Sequence, residues 1–161
     1  MAHLAEVRRA TPDTLYNNWA HAYAIGALVR ERFLVLHSAA MGGELDAWER
    51  VPKSALALTV LLDQFPRNMF RDTPAAFASD ARALAVAGRA LARGFDLRLI
   101  PVQRQFLYLP FEHAEDLAAQ RRAVALMQPL QAFPETADAH AWALRHLAVI
   151  ERFSRFPHRN R

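Results

Sequence analysis

Pro52-Lys53-Ser54-Ala55-Leu56-Ala57-Leu58-Thr59-Val60-Leu61-Leu62-Asp63-Gln64-Phe65-Pro66 is the stretch that decides the fold. Proline is well placed to open a helix, because the N–H it lacks would have no intrahelical partner at that position. From Ala55 to Phe65 the segment is apolar on almost every face, which predicts a central helix enclosed by neighbours, with Pro66 as its stop. Such a helix needs other helices around it.

The flanking sequence supplies them. Upstream, Thr11-Pro12-Asp13 reads as a helix start. Leu15, Trp19, Ala22, Tyr23, Leu28, Phe33, Leu34 and Leu36 then keep helical spacing as far as Gly42-Gly43, with an interruption expected near Gly26. A short helix is expected around Leu45 to Arg50. Downstream, Thr73-Pro74 and Ser79-Asp80 are further starts, the second leading through Ala81 to Arg93 with Gly94 as a left-handed cap. Pro101 opens a helix through Phe106 and Tyr108 that Pro110 ends or kinks. Another runs from about Ala114 to Ala132, distorted near Pro129. Thr136 is expected to cap the last, Ala137 to Phe153, whose stripe is Trp142, Leu144, Leu147 and Ile150. No alternating strand pattern of useful length occurs. The reading is therefore all-α, about seven or eight helices in a helix-hairpin stack or orthogonal bundle, although the ~34-residue tetratricopeptide consensus itself is not readable.

The 161 residues suit one helical domain, 1–161, and 53% hydrophobic residues with 5 glycines describe a packed core rather than disorder. With no cysteine, disulfides, thiolate nucleophiles and Cys-ligated metals are excluded, which suits a reducing cytoplasm. The apolar run Ala55 to Leu62 is far shorter than the ~20 residues of a membrane span. Met1–Arg9 carries Glu6 and two arginines where a signal peptide needs an apolar centre, so a soluble, untargeted protein is expected. The net charge of +4 comes almost wholly from arginine, Lys53 being the only lysine. These arginines are interleaved with acids along the chain, a pattern that argues against nucleic acid as partner.

Two places carry possible chemistry. Asp63 follows Leu61-Leu62 near the end of the central helix, where a carboxylate opposes the helix dipole and calls for a cation; Arg67 and Arg104 are the candidates. The acid either fixes helix packing as a buried ion pair or lines a ligand pocket. The second place is Tyr108-Leu109-Pro110-Phe111-Glu112-His113-Ala114-Glu115-Asp116. Its acids are expected at a helix N-terminus, where they favour the dipole, and His113 is either structural or an acid–base group working with Glu112 or Asp116. His113 and Asp116 are i, i+3 and Glu112 and Asp116 i, i+4, but a second histidine on the same turn is missing, and His140 and His146 face apart. No metal is expected. Neither a phosphate loop, a dinucleotide fingerprint nor a nucleophile elbow is present, so no cofactor is expected. One internal echo joins Phe65-Pro66-Arg67-Asn68 to Phe156-Pro157-His158-Arg159-Asn160, read as two similar helix exits.

At these residues the chain resembles a bacterial family catalogued as domain of unknown function 924. The resemblance rests on Leu61 to Asn68, Phe70-Arg71, Phe77-Ala78-Ser79-Asp80, Ala92-Arg93-Gly94-Phe95, Arg104 and Phe106 to His113. It continues through Glu115-Asp116, Gln120, His146, Ile150, Arg152-Phe153 and Arg155 to Asn160. It runs from about Gly43 to the C-terminus, setting a family-like core at 43–161 against variant N-terminal helices at 1–42. The resemblance implies a tetratricopeptide-like all-α fold and no established activity. Its recurring polar residues fall on Asp63, Arg67, Asn68, Arg104, Tyr108, Glu112, His113, Glu115, Asp116, His158, Arg159 and Asn160. Departures are Ala114 where relatives have serine, Ser154 where they have glycine, the missing N-terminal Phe-Trp-Phe motif and a shortened C-terminus.

The expectation is a polar pocket built from Asp63, Arg67, Asn68, Arg104, Tyr108, Glu112, His113, His158 and Arg159, taking a small anionic or polar ligand. Its arginines are free to clamp an anion unless acids already occupy them. The alternatives are a tetratricopeptide-like module with a protein partner, whose polar motifs are structural, and an acid–base enzyme using His113, Glu112 and Asp116.

Overall fold

The structure, a computed structural model, describes residues 12–159, with side chains from residue 26 onward. Every regular element among the described residues is helical, the α-helices being α1 (Pro12–Gly42), α2 (Pro52–Met69), α3 (Asp80–Ala92), α4 (Pro101–His113), α5 (Leu117–Met127) and α6 (Ala139–Phe153). Short 3-10 helices lie between them at Asp46–Arg50, Pro74–Phe77, Asp96–Arg98, Gln128–Ala132 and Pro134–Thr136, and after α6 at Pro157–Arg159. Six α-helices thus stand where seven or eight were expected, because the short segment read at Leu45 to Arg50 and the start at Thr73-Pro74 form single 3-10 turns. The expected cap at Thr11, the side chains Leu15, Trp19, Ala22 and Tyr23, and Asn160 of the second exit lie outside the described residues. No helix among them is long and apolar enough to cross a membrane.

The apolar segment is central, as its composition requires. Leu58, Leu61 and Leu62 of α2 pack with Ala40 of α1 and with Ala83 and Val86 of α3. A second cluster joins Ala87 and Ala90 of α3, Leu107 and Phe111 of α4, Ala123 and Met127 of α5 and Ala143 of α6. Leu58, Leu62, Leu107 and Met127 are fully buried, each contributing about 1.5–3 kcal/mol of apolar burial. Alanines dominate the second cluster, and small side chains let the helices approach closely.

Two expected breaks are absent, each for a physical reason. α1 runs through Gly26 without interruption. That glycine serves a close approach: a Cβ there would meet the backbone oxygen of Asn68 at 2.5 Å. α2 continues past Pro66 to Met69. Pro66 has no N–H for the carbonyl of Leu62, four residues back, and the buried Ser79 hydroxyl donates to that oxygen instead at 2.5 Å. Of the two outcomes expected at Pro110, an end is ruled out: α4 runs three residues beyond it. Ser79 therefore occupies the N-cap position of α3 without capping it. The Thr136 hydroxyl does not cap α6 either; it donates to the Leu130 carbonyl at 2.8 Å. Gly94, by contrast, is left-handed as expected, with φ of 66°.

Candidate functional site

Because α4 ends at His113 and α5 begins at Leu117, the polar cluster straddles a junction instead of opening a helix. Glu112 and His113 form the last turn of α4, at a helix C-terminus and not at the N-terminus expected for this cluster. Asp116 does cap α5, accepting the Ala119 N–H at 2.8 Å. Gln120 ties the junction down by donating to the carbonyls of Glu112 and Ala114 at 2.6 and 2.7 Å.

Asp63, only 1% exposed, faces this junction from α2. Its carboxylate accepts from His113 Nδ1 at 2.8 and 3.0 Å and from Gln64 Nε2 at 2.5 Å. Arg67 Nη1 lies 3.3 Å from Asp63 Oδ1 and also donates to the Asp63 carbonyl. Burial pushes the Asp63 carboxyl up, but His113, Arg67 and the Gln64 hydrogen bond outweigh it and hold the group below its usual range. An ionised carboxylate only accepts hydrogen bonds, so Nδ1 carries the proton. His113 Nε2 makes no hydrogen bond among the described residues.

The guanidinium of Arg67 then forks onto Asp80, with two bonds of 2.9 Å. Arg159 donates to the same carboxylate at 2.9 Å from the C-terminal segment. Its cation lies between the rings of Phe77 and Phe156, at 4.4 and 4.5 Å. Burial lowers the Arg159 pKa and Asp80 opposes that shift. The result is one continuous network, His113–Asp63–Arg67–Asp80–Arg159, which joins α4, α2, α3 and the 3-10 turn Pro157–Arg159.

This network borders a cleft of ≈ 480 Å³. Pro74, Phe77, Ala81 and Leu84 give it an apolar side, and Asp80, His113, Glu115, Asp116 and Arg159 a polar one. Glu115 also receives the Phe156 N–H at 2.7 Å, which holds the segment after α6 against the α4–α5 junction.

The structure brings Asp63, Arg67, His113 and Arg159 together, with Asp116 on the same cleft. It does not bring in the other expected residues. Arg104 donates from Nε to the Leu99 carbonyl at 2.9 Å, and Tyr108 donates to Asp96 at 2.9 Å; both bonds go to the segment before α4, not to Asp63. Burial raises the Tyr108 pKa. Asn68 bonds the Gln64 carbonyl at 3.1 Å and lines a different cleft, beside Gly26 and Arg30. Glu112 points away to His146 Nδ1 at 2.8 Å, and that hydrogen bond raises the His146 pKa. His158 packs near Phe77 and Phe156 and lines neighbouring grooves. The two Phe-Pro exits also differ, since Phe65-Pro66 lies inside α2 while Phe156-Pro157 follows a left-handed Ser154. Their arginines nevertheless share one carboxylate. Sequence reasoning missed that carboxylate, because an acid at Asp80 is already explained as a helix start. Among the described residues no group of three or more histidines and acids is able to hold a metal ion.

Fold and network define an all-helical protein with a buried carboxylate–histidine pair beside a cleft. The chain belongs to the family described as "Bacterial protein of unknown function (DUF924)", whose model matches residues 9–161. It is similar to a solved structure of a protein of unknown function from Agrobacterium tumefaciens, at 46% identity and a TM-score of 0.79. The match covers 86% of this chain and 76% of that one. No curated protein matches the chain.

Proposed function

We propose that the cleft beside His113 binds a small polar ligand that presents a hydrogen-bond donor and an apolar body. The observation that carries this reading is His113 itself, with Nδ1 held by a buried carboxylate and Nε2 unpartnered on a side chain that lines the cleft. With Nδ1 carrying the proton toward Asp63, the neutral ring is the tautomer whose Nε2 is an acceptor facing the cleft. A ligand's apolar part meets Phe77 and Leu84. Within the expected choice between anionic and polar ligands the wall favours the polar one, because Arg67 and Arg159 already hold Asp80 while Glu115 and Asp116 add negative charge. Arg67, Asp63 and Arg159 position the site in this reading, and Asn68, Arg104, Tyr108 and Glu112 lie outside it.

A thermal-shift panel of small alcohols, amines and carboxylates, with sulfate and phosphate, tests the reading. A ligand at a hundred times its dissociation constant stabilises by about 2.7 kcal/mol, a readily measured rise in Tm. An alcohol or amine should raise the Tm of the wild type and not that of His113→Ala. Equal shifts in both proteins, or none with any compound, would sink the reading.

Acid–base catalysis by His113 is a second reading, supported by the same pairing, since a carboxylate that fixes the tautomer also steadies the imidazolium formed on taking a proton. In it Asp63 replaces Glu112 as the orienting acid. Successive packing of α1 on α2, α2 on α3, α4 on α5 and α5 on α6 supports the tetratricopeptide-like stacking.

A further inference from the structure

We propose that the outward face of α6 is a docking site for an acidic amphipathic helix of a protein partner. Ala139, Ala143 and Ile150 turn inward and are buried. Trp142, Val149 and Phe153 follow one another at i, i+7 and i+11 on another face, with Trp142 51% and Phe153 46% exposed. The segment Phe156-Pro157 walls this stripe on one side, making a groove of ≈ 450 Å³.

Charge selects the occupant. Arg145 and Arg152 stand seven residues apart along one edge of the stripe, their guanidinium groups lying over Trp142 at 4.5 Å and Phe153 at 4.9 Å. Neither makes an ion pair among the described residues. A guanidinium stacked on a ring still has N–H groups at its rim, ready for a carboxylate. The groove lining contains no acid; Glu151 of α6 lies elsewhere and faces Arg121 at 3.9 Å. The matching partner is a helix with an apolar stripe and carboxylates two turns apart along its edge.

A second copy of this chain fits poorly, because a two-fold interface would set the same arginine edge against itself. An anionic membrane fits less well than a helix, because the stripe is recessed beside Phe156-Pro157. This inference does not rest on the cleft reading, and His113→Ala leaves its test unaffected.

The test uses two labelled synthetic helices with one leucine stripe, bearing either glutamates or lysines two turns apart along its edge, in fluorescence anisotropy with the full chain. The glutamate helix should bind about tenfold or more tighter than the lysine helix, and lose affinity as salt rises. Trp142→Ala should weaken it about tenfold. An Arg145→Glu/Arg152→Glu chain should reverse the preference, a result that misfolding cannot produce; circular dichroism checks the fold of each variant. Equal affinity for both helices, or binding of neither, overturns the proposal. So does preferential binding to phosphatidylserine vesicles, or self-association in sedimentation that Trp142→Ala abolishes.

Discussion

Asp80 accepts three hydrogen bonds from two guanidinium groups, and among the described residues Arg159 has no other carboxylate within ion-pair distance. Removing this acid leaves a mostly buried cation against two aromatic rings, and such uncompensated charges cost about 3–5 kcal/mol. Asp80→Ala should lower stability by that order in denaturant unfolding, whereas a loss below about 1 kcal/mol would show the pair to be solvated. Asp63→Asn should cost less, about 1–3 kcal/mol, because Arg67 keeps Asp80 while the His113 bond weakens. A loss as large as that of Asp80→Ala would mean that Asp63, and not Asp80, is the centre of the network. Asp63 was legible in the sequence because an acid after two leucines near a helix end demands a cation, and Arg67 one turn on supplies it. Arg104 looked equally suitable, and only the tertiary arrangement sends it to Leu99. Asp80 carried no such signal, since an acid in the first turn of a helix is satisfied by the dipole alone.

At the scale of elements, the hydrophobic periodicity placed every long helix, while proline misled at one end. Pro66 looks like a stop because a proline removes one backbone hydrogen bond, but a buried helix tolerates that loss when another donor reaches the orphaned carbonyl. Ser79 does so for Leu62, from a position that reads in sequence as a cap. Ser79→Ala should therefore cost about 1–3 kcal/mol, the penalty of a buried unpaired acceptor. Pro66→Ala restores an N–H beneath the same carbonyl, so the double variant should regain part of what Ser79→Ala loses. Strictly additive losses in the double-mutant cycle would show that the two groups do not share Leu62. Gly26→Ala tests the contact of α1 with the end of α2: with backbone 2.5 Å from the added carbon, the helices must move apart, at a cost of about 1–3 kcal/mol. A stability equal to wild type would mean that α1 shifts freely on α2.

Across the whole molecule, three titrating groups lie on the seams between helices and bound its stability from both sides of neutrality. His146 of α6 is held against Glu112 of α4, and its pKa is raised chiefly by that hydrogen bond. A raised folded pKa means that the native state holds the proton more tightly than the unfolded chain. Its stabilisation is therefore complete below the free imidazole value of about 6.5, and disappears as pH rises through the folded pKa. His37 behaves oppositely, because burial beside Ser79 and Phe70 lowers its pKa. Its neutral form is native, so its contribution is complete above about 6.5 and falls as the unfolded chain takes up protons below that value. Asp63 adds a lower limb: its depressed pKa contributes stability above the usual carboxylate value, lost as pH falls through the folded one. Melting temperature against pH should accordingly form a dome around neutrality, with His146→Gln flattening the alkaline side and Asp63→Asn the most acidic part. If His146→Gln leaves the slope above pH ~6.5 unchanged, the tie between α4 and α6 is not made through a charged histidine.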